Sequence, residues 1–177
     1  MAASAARTLF EGGRGMRIRT GALAVLAAAI VAVLSTVSAG AAGAGAVSVT
    51  EHIHNEVIFS DSDVNPCTGA PGTVTGIATN GVLHMTTLAN GTAHVTSTVE
   101  GTITFVPDNS ADPSFSGHFA SWFGDNVNAK NGASTSTFNA VLSGTDGSRV
   151  GVHDVFHLST SAGGVTIMFD KPHFTCG

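Results

Sequence analysis

Near the C-terminus, Val165, Ile167 and Phe169 alternate with Thr166, Met168 and Asp170. Earlier in the chain Phe138, Ala140 and Leu142 alternate with Thr137, Asn139 and Ser143, with Val141 breaking the pattern. Apolar and polar residues taken in turn mark a strand with one packed and one wet face. After residue 46 no stretch keeps a 3.6-residue apolar period for three turns, so helices are not expected there. The pattern predicts strands over 47–60 (bent near Asn55), 72–78, 81–88, 92–99, 101–106, 115–123, 135–144, 148–160 and 165–174. Asn80-Gly81, Ala89-Asn90-Gly91, Asp146-Gly147 and Gly163-Gly164 punctuate them, and such pairs between alternating runs are strong hairpin signals. Residues 107–114 and 125–134 read as polar loops. Repeated hairpins predict an all-β fold: an antiparallel up-and-down β-barrel of eight or nine strands, with a β-sandwich as the alternative, since both hide strand edges.

What precedes the strands reads differently. Arg14, Arg17 and Arg19 are followed by an uncharged apolar run over 21–34 and then by small residues to Ala46. Positive, apolar, then small is the order of a signal peptide. Cleavage is expected within Val37-Ser38-Ala39, Ala39-Gly40-Ala41 or Ala44-Gly45-Ala46, and Met16 is a second candidate start. Residues 1–46 are thus expected to form a signal peptide and small-residue linker, and 47–177 the secreted domain. A retained membrane anchor would need roughly 20 apolar residues, which the run reaches only if the Ala- and Gly-rich stretch is counted in.

Charge narrows the partners. The whole chain of 177 residues carries a formal −5. Four arginines and one glutamate fall in the first 46 residues, leaving Lys130, Arg149 and Lys171 against eleven acids, a net −8. With no basic cluster, a nucleic-acid partner is not expected, nor is an anionic membrane surface. Abundant Thr, Ser, Val, Gly and Asn suit a pleated surface better than a helix, and about 130 residues suffice for one core.

Cys67 and Cys176 are the only cysteines, and in an exported chain they most simply pair with each other. The segments around them, Asn65-Pro66-Cys67-Thr68-Gly69 and Phe169 to Cys176, go with a middle of Gly117-His118-Phe119-Ala120-Ser121-Trp122-Phe123-Gly124 and Asp146-Gly147-Ser148-Arg149. Together they resemble a group of small exported actinobacterial proteins with an N-P-C-T-G turn and a terminal F-T-C. The resemblance covers most of residues 57–177 and implies export, a disulfide and a β fold; it supplies no activity. That group usually continues Thr-Gly with Glu, where this chain has Ala70-Pro71.

Eight histidines are the one unusual ionisable population. His52 and His54 sit two apart on the first strand and are the best, though weak, metal candidates, with Glu56 nearby; no spacing supplies the four ligands of a closed zinc site. His153 and His157 share a face, and a two-residue Asn90-Gly91 turn would put His84 and His94 on opposite faces. No Gly-x-Ser-x-Gly elbow is present, no catalytic residue is assigned, and no cofactor is expected. Trp122 with Phe119 and Phe123, and with His84, His153 and His157, makes a candidate pocket for a small apolar ligand, since a barrel of this size can enclose one; a packed core is the simpler reading of Trp122. The function expected is a secreted small-ligand binding or extracellular interaction module. Alternatives are a cyclase-like or isomerase-like barrel enzyme using interior His and Asp154, and a structural surface module without a pocket.

Overall fold

Alternation is kept most strictly over residues 93–107, where Ala93, Val95, Ser97, Val99, Gly101, Ile103 and Phe105 are buried and nearly every residue between them is exposed. In the computed structural model, which describes residues 45–177, this segment is the inner strand of a fully antiparallel sheet. The segment read as a signal peptide lies outside the described residues, apart from Gly45 and Ala46. The described residues form nine strands: β1 (Val47–Ile53), β2 (Glu56–Val64), β3 (Pro71–Thr87), β4 (Ala93–Pro107), β5 (Phe115–Val127), β6 (Asn131–Gly144), β7 (Arg149–Ser161), β8 (Gly164–Asp170) and β9 (His173–Cys176). From β3 to β7 each strand pairs with the next in sequence. The edges are divided. β2 pairs the first half of β3 and β1 the second half, while β9 pairs the first half of β7 and β8 the second.

All-β and antiparallel hold as expected; closure and several boundaries do not. Among the described residues β1 and β2 on one edge form no ladder with β8 and β9 on the other, so the sheet curls without closing into a hydrogen-bonded barrel. It is one sheet, not the two of a sandwich. Asn80-Gly81 is not a hairpin. The chain runs straight through it as β3, and the register shift between Ala78 and Asn80 absorbs Thr79 as a bulge. β4 offers β3 an unbroken partner there, and Gly81 lies opposite both Ile53 and Val99. The loop expected over 125–134 shrinks to a turn in which the Asn128 side chain accepts from the N–H groups of Lys130 and Asn131. Residues 165–174 divide at Lys171-Pro172, where proline lacks the N–H a ladder needs. The bend near Asn55 is where expected, and that residue takes a left-handed φ of 53°.

The core gathers at the end of the sheet where β2 and β9 lie. It contains Phe59, Ala78, Val99, Ile103, Phe105, Phe115, Phe119, Ala140, Leu142 and Val150, with Phe138 and Cys67 packed against it. Phe59 reaches from the edge across the interior, its ring 6.0 Å from that of Phe119 and 6.5 Å from that of Phe138. It does so over Gly76, where any Cβ would collide with the Phe59 ring. Several strand glycines are therefore seats for aromatic rings on neighbouring strands, not turn residues. β8 departs from its expected packed face: Val165, Ile167 and Phe169 are all exposed, because the register shift between Ser159 and Thr160 breaks their alternation and no strand among the described residues lies beyond.

The disulfide Cys67–Cys176 is formed, with Cα atoms 5.7 Å apart, and fastens one sheet edge to the other. The Asn65-Pro66-Cys67-Thr68-Gly69 turn explains how. The buried Asn65 accepts the N–H groups of Cys67 and Thr68 on its side chain, at 2.9 and 3.2 Å, and that of Gly69 on its carbonyl. Gly69 takes the left-handed φ of 77° that returns the chain to β3. The turn holds Cys67 rigidly towards β9, whose last residue pairs with Val150.

Candidate functional site

Period-two alternation divides the residues expected to share a pocket. Phe119 is buried in the core, and Phe123, two pleats on, points to the same inner side. Trp122 points the other way. It is 40% exposed on the outer face, where its direct neighbours are Thr98 on β4 and Thr137 on β6. The indole leans along β5 over Gly124, and a Cβ on that glycine would stand 2.7 Å from its Cη2 atom. The only tryptophan of the chain is therefore neither core nor part of an enclosed cavity.

Around it lies a shallow groove of about 400 Å3 crossing β3 to β6. Val82, Ala120 and Trp122 are its apolar outer-face side chains; Asn80, Thr98, Glu100, Thr137 and Asn139 are polar. The polar groups are partly committed to one another. The Asn80 Nδ2 donates to Glu100 Oε1 at 3.3 Å, which leaves the amide oxygen and the second carboxylate oxygen open. Asn139 Oδ1 meets the Nδ1 of His153 at 2.6 Å, which leaves its NH2 group to donate into the groove. His153 thus holds a groove residue in place without lining the groove.

The other histidines of the expected pocket are also on the outer face, bonded to hydroxyls of that face. His84 meets Thr50 at 2.9 Å through Nδ1 and Thr86 at 3.3 Å through Nε2. His157 meets Thr135 at 2.7 Å and Ser159 at 2.9 Å, and its ring stacks on Phe169 with centroids 5.4 Å apart. His84 and His94 share a face, contrary to the expected opposition. The Asn90-Gly91 hairpin encloses three residues between Leu88 and Thr92, so Thr86, not Thr87, pairs with His94. His52 and His54 stack with parallel rings 6.2 Å apart, and among the described residues no three His, Cys, Asp or Glu side chains converge on a point.

Asp154 lies on the opposite side of β7 from His153 and His157. The enzyme constellation of interior His and Asp is therefore not assembled: residue 154 faces in, 153 and 157 face out. What Asp154 meets instead is Asp170, which the sequence does not single out as a site residue. Asp154 is only 5% exposed, and its Oδ1 atom has no hydrogen-bond partner among the described residues. Burial lifts its carboxyl from 3.8 to about 6, and the Asp170 carboxyl beside it adds to the rise; the Val155 N–H and His153 act weakly against it. Burial and the neighbouring carboxyl both favour the protonated form of Asp154.

This pair makes a signed prediction. A carboxyl raised by folding is favoured in its protonated form, so its contribution to stability is full below 3.8 and lost as the pH rises through about 6. Carrying Asp154 charged at neutral pH therefore destabilises the folded domain. Asp63 acts in the same direction, raised by burial and by neighbouring Asp61 against the Val64 N–H. Asp154→Asn is expected to raise the melting temperature near neutral pH and to change it little at about pH 4. Calorimetric scans at both pH values check this; a variant equally destabilised at the two would contradict it.

Comparison with known protein families, curated proteins and solved structures gives no match. The groove and the acid pair therefore stand on their own geometry. A disulfide is compatible with a protein outside the cell, and among the described residues no helix is long and apolar enough to cross a membrane.

Proposed function

We propose that the chain is exported, loses its first 46 or so residues, and works outside the cell as a binding module whose ligand site is the outer-face groove at Trp122. One observation carries this reading: a large amphipathic ring is left in solvent at the centre of a sheet face, over a glycine that makes room for it. A tryptophan of this size buried would contribute heavily to the core, yet here the core is filled by phenylalanines. Groups with unspent hydrogen-bonding capacity flank it on three neighbouring strands, the mix of apolar surface and few convergent polar groups that recognises small ligands. The export segment and the disulfide support the location, and the net −8 of the secreted part supports solubility in the medium.

The test uses the single tryptophan. Low-molecular-mass fractions of the culture medium are titrated into the purified protein while Trp122 emission is followed, with calorimetry alongside. At least one fraction is expected to give a saturable change, and its heat of binding is expected to vanish in Trp122→Ala. Binding heat that survives this substitution, or no fraction that perturbs the emission, would overturn the reading.

A further inference from the structure

We infer that the ligand of the groove is a neutral oligosaccharide, an inference that rests on the groove being the binding site. Four features of the lining converge on this class. First, among the described residues no Lys or Arg lines it and Glu100 does, so a phosphate, sulfate or carboxylate ligand would bring a negative charge to a negative site. Second, Val82 and Ala120 are its only aliphatic side chains on the outer face among the described residues, too few to hold an acyl chain or a sterol. Third, a sugar ring has one face of C–H groups and a rim of hydroxyls. Trp122 supplies exposed aromatic surface for the former, since its ring is apolar over its body and polar only at one N–H. Asn80, Glu100 and Asn139 supply planar amide and carboxylate groups for the latter. With their existing bonds kept, Asn80 offers its amide oxygen and Glu100 its second carboxylate oxygen as acceptors, and Asn139 offers its NH2 group as donor. Fourth, the groove is open along its length. It crosses three inter-strand spacings, about 14 Å, which suits a short run of linked sugars better than a single enclosed molecule.

The positions within the groove agree with that division of labour. Glu100, Ala120 and Asn139 form one cross-strand row, and Thr98, Trp122 and Thr137 form the next. Ala120 keeps the centre of the first row low, so hydrogen-bonding groups stand at its two ends. A ring lying against Trp122 would meet Asn139 on one flank and the Asn80–Glu100 pair on the other. His153, bonded to Asn139 Oδ1, fixes which end of that amide faces the ligand.

The experiment titrates soluble linear oligosaccharides of β-linked glucose, xylose, mannose or N-acetylglucosamine, and of α-linked glucose, into the full secreted protein, reading Trp122 emission and calorimetric heat. At least one is expected to bind saturably, with an affinity unchanged by added salt because the ligand is neutral. Trp122→Ala is expected to abolish binding, and Asn80→Ala and Asn139→Ala each to weaken it about three- to tenfold, the worth of one hydrogen bond. Thr104→Ala, on the same outer face but outside the groove, is expected to bind as the wild type does; circular dichroism confirms that each variant is folded. If none of these oligosaccharides binds while a medium fraction still binds in a Trp122-dependent way, the sugar class is overturned and the groove reading stands. If an oligosaccharide binds equally well to Trp122→Ala, both fall.

Discussion

Cys176→Ala is expected to destabilise the folded domain by about 4–5 kcal/mol, the chain-entropy figure for a loop of roughly 100 residues. The two cysteines are 109 residues apart in sequence, so the bridge removes much of the freedom of the unfolded chain. Native geometry adds to this. β9 has four residues and pairs only with Val150–His153 of β7, and no ladder joins the two sheet edges among the described residues. The covalent link stands where a barrel would have hydrogen bonds, and without it β9 is the strand that frays first. Thermal denaturation should show a fall on the order of 15 °C for a domain of this size, and thiol titration of the native wild type should find no reactive cysteine. A variant melting within a few degrees of the wild type would mean that the edges are held by something else.

Phe59→Ala should cost about 3–5 kcal/mol, the range for emptying a buried phenylalanine site. The reason is its position. Phe59 belongs to an edge strand, yet its ring packs on Phe119 and Phe138 in the middle of the sheet, and the walls around it are strands fixed by their ladders. They cannot collapse to fill the gap, so the cavity term is large. Val57→Ala on the same strand, where the side chain is exposed, should change stability by less than about 0.5 kcal/mol. Denaturant midpoints for the two variants check the pair, and equal midpoints would show that β2 does not close the core.

Much of this architecture was legible from residues alone, and the misses have identifiable causes. Alternation over 135–144, the bend at Asn55, and the turns at Asn90-Gly91, Asp146-Gly147 and Gly163-Gly164 follow from local chemistry, whereas the strands expected over 92–99 and 101–106 are one continuous β4 running through Gly101. Glycine is ambiguous in sequence. At Asn80-Gly81 and at Gly101 it looks the same in sequence whether it turns the chain or seats a ring, and only the length of the neighbouring strand decides. Loop closure is equally delicate: one residue more in the Asn90-Gly91 hairpin turned His94 to the other face and into company with His84.

The site was more readable than it first looked. Phe119 and Phe123 are an even number of residues apart, and Trp122 is odd with respect to both, so parity alone puts the indole on the opposite face. The same parity separates Asp154 from His153 and His157. Grouping aromatic and ionisable residues by type hid a distinction that counting would have kept. The Asp154–Asp170 pair was not readable in this way, because β8 shifts register between Ser159 and Thr160. Nor was the groove itself, since Asn80, Glu100 and Asn139 come together only through the bulge at Thr79 and the pairings of four strands.

Acrylamide quenching of Trp122 fluorescence in the native protein tests the central claim most directly, because no other tryptophan and no tyrosine contributes. A ring on the outer face is expected to be quenched readily in the folded state, with only a modest further gain on unfolding and with protection when ligand is bound. Emission that resists quencher until the domain unfolds would place Trp122 in the core and contradict the account.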